Sequence, residues 1–144
     1  MINQGIVPEY VKETRRYVLV VEKDTLQGYL LKVSLQDTGW TVRLADDPKE
    51  ALLFCEHDLF DVAIINYNYP CGVSGFVLGE RLYAQYKLPS LMITASRYIE
   101  LRRCLAFTIN QDVLFKPYRL SECNLRLQRL LTGAPLLQEH EFCA

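Results

Sequence analysis

The sequence contains no run of about 18 apolar residues, so no membrane-spanning helix is expected. The opening stretch MINQGIVPEYVKETRR has no apolar leader core, which argues against export and for a cytoplasmic location. Neither sign of charge dominates. Lys and Arg number 16 and Asp and Glu 17, a formal net charge of -1, so bulk charge supports neither a direct nucleic-acid role nor a membrane role. Histidine is limited to His57 and His140, far apart in the chain. The five cysteines (Cys55, Cys71, Cys104, Cys123 and Cys143) are odd in number, widely spaced and without a CxxC pair. No metal site and no disulfide framework is therefore expected; the cysteines read as reduced thiols, some of them buried. No internal repeat or low-complexity tract is present.

What remains reads as one domain. The chain has 144 residues, 50% of them hydrophobic and 23% charged, enough to build a core and keep a polar surface. Tyr17-Val18-Leu19-Val20-Val21 is a continuous apolar run, the pattern of a strand buried on both faces. Asp24 and Thr25 are candidate caps for a following helix, whose apolar face is expected to hold Leu26, Leu30, Leu31, Val33 and Leu35 and which Gly39 stops. Trp40 to Leu44 reads as a second strand, and Asp47-Pro48 opens a helix with Ala51, Leu52, Leu53 and Phe54. Val62 to Ile65 is a third strand. Gly75 precedes a helix with Phe76, Val77, Leu82, Tyr83 and Tyr86, ended by Pro89. Leu91 to Thr94 is a fourth strand, Tyr98 to Thr108 a helix and Val113 to Phe115 a fifth strand. The last helix starts near Ser121, with Leu125, Leu127, Leu130 and Leu131, and ends at Gly133.

This alternation, five times over, demands a parallel sheet covered on both faces, with any site beyond the carboxyl ends of the strands. Glu22, Lys23, Asn66, Thr94 and Lys116 all fall at such ends. Their order and separations together are more specific than any one of them.

The segments Val20-Val21-Glu22-Lys23-Asp24, Phe60 to Asn66, Met92-Ile93-Thr94-Ala95 and Leu114-Phe115-Lys116-Pro117-Tyr118 resemble the receiver domain of bacterial response regulators, the phospho-accepting module of two-component phosphorelay signalling. The resemblance covers about residues 16–132. It implies an α/β, flavodoxin-like (βα)5 doubly wound parallel sheet with strand order 2-1-3-4-5. Residues 1–15 would then be an extension and 133–144 a tail. In the family a histidine kinase passes a phosphoryl group to an aspartate after the third strand. An acidic pair helps hold Mg²⁺, and a Ser/Thr and a Lys bind the phosphoryl oxygens. Catalysis there is positioning and electrostatics.

Against that pattern the pocket departs three times. Asn66 stands at the phosphoacceptor position. Lys23 replaces the second acid, the direct metal ligand, while Glu22 keeps the first. Val113, three before Lys116, stands where the family's switch aromatic would be. Thr94 and Lys116 remain as phosphoryl- or anion-binding remnants. The expectation is an atypical receiver, or pseudo-receiver: no catalytic residue, no cofactor, Lys23 acting as a built-in cation beside Glu22, and Asn66 satisfied by backbone and Lys116.

Partners are expected to be proteins: a histidine kinase, another receiver or a regulator. The family often pairs through its fourth helix, fifth strand and fifth helix. Here that region carries Arg97, Glu100, Arg102, Arg103, Arg119, Glu122, Arg126 and Arg129, mixed charges that suit a two-fold homodimer contact. Two other readings stand beside this one. The chain could be the N-terminal input domain of a longer response or transcription regulator, although 144 residues leave no room for a DNA-binding module. It could also be a degenerate flavodoxin-like domain that senses a small anion, but Glu22-Lys23-Asp24-Thr25 is not a Gly-rich phosphate loop.

Overall fold

The computed structural model describes residues 16–66, 75–95 and 110–133. In chain order these form β1 (Tyr17–Val21), α1 (Thr25–Asp37), β2 (Thr41–Ala45), α2 (Pro48–Cys55), β3 (Val62–Asn66), α3 (Gly75–Tyr86), β4 (Ser90–Thr94), β5 (Gln111–Phe115) and α4 (Leu120–Thr132). The helix expected over Tyr98 to Thr108 lies outside the described residues. Among the described residues no helix is long and apolar enough to cross a membrane.

All strands run parallel in the order β2-β1-β3-β4-β5, the flavodoxin-like arrangement. Side chains alternate between the two faces. On one face Leu19, Val21, Ala63, Ile65, Met92 and Val113 pack with Ala51 and Cys55 of α2 and Leu78 and Leu82 of α3. On the other, Val18, Val20, Ile64, Leu91, Ile93 and Leu114 pack with Leu35 of α1 and Cys123, Leu127 and Leu130 of α4. Burying each such Leu or Ile contributes about 1.5–3 kcal/mol, so these two layers hold the strand ends in place.

The helix starts follow from their caps. Asp24 accepts the Gln27 amide at 3.0 Å, and Asp47 accepts that of Glu50 at 2.7 Å, one residue before Pro48. Gly133 closes α4 with φ 70, the left-handed geometry that glycine tolerates best.

Several expectations shift. β2 starts at Thr41, one residue later than Trp40, which is instead buried and donates its indole N–H to Asn124 at 3.1 Å. β5 begins at Gln111, two residues early, because Gln111 and Asp112 are buried despite being polar. Gln111 Nε2 donates to the Phe76 carbonyl at 3.3 Å, and Gly79 lets α3 approach; a Cβ there would come within 2.6 Å of Ser90 Oγ. The largest correction concerns α1. Its inward residues are Gly28 and Leu35 with half-buried Leu31, whereas Leu26, Leu30 and Val33 face out. A Cβ on Gly28 would already touch Glu22 and Leu44 at 3.6–3.7 Å, so the glycine permits a close seat on the sheet.

Candidate functional site

The register places the polar strand ends side by side. Asn66 closes β3 opposite Ile93, and Glu22 follows β1 directly with its N–H on the Ala45 carbonyl at 3.0 Å. Asn66 Nδ2 donates to both Glu22 carboxylate oxygens, each at 3.2 Å. Glu22 Oε2 also accepts the Asp24 amide at 3.0 Å. Lys116, just past β5, donates its backbone N–H to the Thr94 carbonyl at 2.9 Å and its Nζ to Gln27 Oε1 at 3.2 Å. The Lys116-Pro117 peptide is cis. Glu22, Gln27, Asn66, Lys116 and Tyr118 line a cavity of about 40 Å³, floored by Val20, Ile64 and Ile93, which is room on the scale of a water.

Of the residues expected at this site, Glu22, Asn66 and Lys116 line one cavity. Thr94 is buried at the end of β4 and does not line it. Lys23 is exposed and does not line it either. Glu22 is therefore met by the Asn66 amide, and Lys116 reaches Gln27. Val113 is buried in the core between the sheet and α3. On the candidate interface, Arg97, Glu100, Arg102 and Arg103 lie outside the described residues. Arg119 and Glu122 are exposed and Arg129 is half-buried. Arg126 is turned inward: Nη1 sits 3.0 and 3.1 Å from the two carboxylate oxygens of Asp112, and Nη2 sits 3.6 Å from Glu122.

Two lining residues went unread in the sequence. Gln27 stands at the third helical position after the cap Asp24, a spacing that already placed it at the sheet's carboxyl edge. Tyr118 follows Lys116-Pro117. Burial, more than the nearby Cys123 and Glu22, pushes the Tyr118 phenol above its ordinary value, so it remains an O–H. Burial likewise pushes the Cys55 thiol up to about 11 and Cys123 to about 12, which makes both inert as nucleophiles.

The donor set does not fit a divalent cation. Such an ion needs several anionic or carbonyl oxygens. Glu22 is the one carboxylate among the described residues that line the cavity, and both of its oxygens accept from an amide. Among the described residues no group of three His, Cys, Asp or Glu side chains could hold a metal.

A family model described as the response regulator receiver domain matches residues 18–128. The chain is 31% identical over 114 residues to the virulence transcriptional regulatory protein PhoP of Salmonella typhimurium, a match that takes in 79% of this chain. It is 33% identical over 115 residues to the transcriptional regulatory protein PhoP of Escherichia coli. The chain spans about half the length of these curated relatives, 51% in each case. Among solved structures, the chemotaxis protein CheY4 of Vibrio cholerae superposes with a TM-score of 0.73 at 30% identity, covering 81% of this chain and 99% of that one. The non-phosphorylated HemR receiver domain of Leptospira biflexa gives 0.70 at 29% identity, covering 88% and 99%.

Proposed function

The chain belongs to the response-regulator receiver domain family, and on that premise we propose that it is a protein-binding signalling module whose output does not depend on phosphorylation of its own pocket. Receiver domains are signalling modules that interact with histidine kinases and other regulators. The carrying observation is Asn66. An amide is neutral, its lone pair is delocalised, and here its N–H₂ is committed to Glu22. It supplies neither the nucleophilic oxygen nor the metal-binding charge that an acyl phosphate requires.

Lys23 supports the same reading, since it removes the second carboxylate from the mouth of the site. Val113 supports it again: a short aliphatic buried in the core has no ring to swing between an exposed and a buried position. Acceptor, metal ligand and relay are thus lost together. The module, residues 16–132, works by its resting shape and takes a kinase, another receiver or a regulator as partner; it is not an enzyme.

The test is direct. The wild-type chain, incubated with acetyl phosphate and Mg²⁺ and weighed intact, is expected to gain no acid-stable, base-labile phosphoryl group. Substantial labelling that maps to this pocket would overturn the proposal.

A second reading rests on the relatives. They are transcriptional regulators of which this chain spans about half, so the same module can serve as the input half of a longer regulator. A longer native product carrying a DNA-binding segment would support that reading.

A further inference from the structure

Helix α1 begins without a buried anchor. From Thr25 to Leu30 every residue is exposed except Gly28, which has no side chain to bury. The first side chain to reach the sheet is half-buried Leu31, and the first fully buried one is Leu35. A fully buried leucine contributes about 1.5–3 kcal/mol, so the second half of α1 is held by its core residues and its opening turns must be fixed by other means. Helix α4 begins without a side-chain cap: Arg119 stands at the N-cap position and makes no such bond to the helix start. A hydrogen bond joins these two loosely held starts. Lys116 Nζ, three residues ahead of Arg119, donates to Gln27 Oε1 at 3.2 Å, across 89 positions of sequence. Lys116 forms no ion pair among the described residues, and Glu22, the carboxylate that lines the same cavity, is met by Asn66. Tyr118 lines that cavity too and packs against the face of the sheet that α1 and α4 cover.

We propose that the Lys116–Gln27 bond is a strap: the two side chains are positioning residues that tie the start of α1 to the start of α4, so that the two helix starts loosen together and not separately. An ammonium donor makes a stronger hydrogen bond than a neutral one. The bond is exposed, so water competes for both groups and its net contribution is modest; it matters because no buried side chain fixes the same turn. On the α1 side Gln27 precedes Gly28, where the helix backbone seats against Glu22 and Leu44, so strap and seat act on one turn. On the α4 side Pro117, with its fixed φ, stiffens the short link from Lys116 to Arg119. The strap gives the resting shape proposed above a physical basis and rests on that reading, since Lys116 serves α1 only while the pocket holds no phosphoryl group.

Native-state amide hydrogen exchange of the whole chain, read by NMR, tests this. Gln27→Met removes the acceptor and Lys116→Met the donor; methionine keeps the side-chain length, and at position 27 the helix propensity. Each variant is expected to speed exchange about threefold or more at Gly28 to Leu31 of α1 and at Cys123 and Asn124 of α4, with Leu19 and Leu91 in the strands unchanged. The crossed effect carries the test: Gln27→Met, a change on α1, acts on α4. Once one partner is gone there is no strap left to lose, so the double variant is expected to exchange no faster than the faster single one. No change in either variant overturns the proposal. So does a rise confined to the element that carries the substitution, singles whose effects multiply in the double variant, or a uniform rise that includes Leu19 and Leu91. Labelling by acetyl phosphate tests the reading beneath it, so failure of the strap and failure of that reading give different results.

Discussion

Asn66→Asp should restore an acceptor oxygen without restoring a receiver. The new carboxylate would face Glu22 in place of an amide that now sits 3.2 Å from both of its oxygens. With Lys23 in place of the second acid, there is still no full ligand set to draw a divalent ion into that gap. Charge neutralisation by the metal is worth several kcal/mol in such a transfer, and each 1.4 kcal/mol is tenfold in rate. Labelling of Asn66→Asp by acetyl phosphate with Mg²⁺ is therefore expected to run about a hundredfold or more below an ordinary receiver. Adding Lys23→Asp should raise it sharply. Two facing carboxylates also make the variant pH-sensitive. Proximity raises the pair's upper pKa in the folded state, so its stability holds at acid pH and falls as pH rises through that raised value. Thermal melts of the variant at two pH values would show this, and robust labelling of the single variant would contradict the account.

The second large effect belongs to Asp112 and Arg126. Their side chains are 1% and 8% exposed, and the guanidinium meets both carboxylate oxygens. Asp112 also accepts the Val113 N–H at 2.7 Å. Burial pushes the Asp112 carboxyl above the usual range, even though Arg126, the Val113 N–H and Arg129 pull it down. A raised folded pKa means that the stability Asp112 adds is greatest below the ordinary carboxylate range and declines as pH rises through the raised value. Asp112→Ala removes the buried countercharge of Arg126 and leaves Glu122, at 3.6 Å and exposed, as its ion-pair contact; the expected loss at neutral pH is about 3 kcal/mol, or about 10 °C in Tm. Pairing it with Arg126→Leu should recover most of that loss, since an apolar pair needs no countercharge. Chemical denaturation of the three variants checks both claims; a single variant as stable as the wild type would mean that water reaches the pair.

The sequence carried the sheet well. β-branched and apolar runs marked β1, β3 and β4, Pro48 and Gly133 marked helix ends, and Glu22, Asn66 and Lys116, read as strand-end residues, line one cavity. What it hid has physical causes. Helix α1 is apolar on nearly every side, so its periodicity left the inward face undetermined, and the residue that decides it, Gly28, has no side chain to count. The start of β5 was masked because Gln111 and Asp112 look like loop residues until their partners Phe76 and Arg126 are seen. The partner of Glu22 was misassigned to Lys23 for a related reason. Adjacency in sequence at a strand end does not mean adjacency of side chains, and Lys23 points to solvent while Asn66, one strand over, reaches across.

The central claim, that this pocket no longer reads a phosphoryl group, is tested most directly by backbone-amide NMR during titration with Mg²⁺ and then beryllofluoride, a mimic of the acyl phosphate. A well-dispersed spectrum in which Asn66, Thr94 and Lys116 do not move is the expected result. Saturable shifts at those residues that spread into β5 and α4 would contradict it and show the switch to be connected.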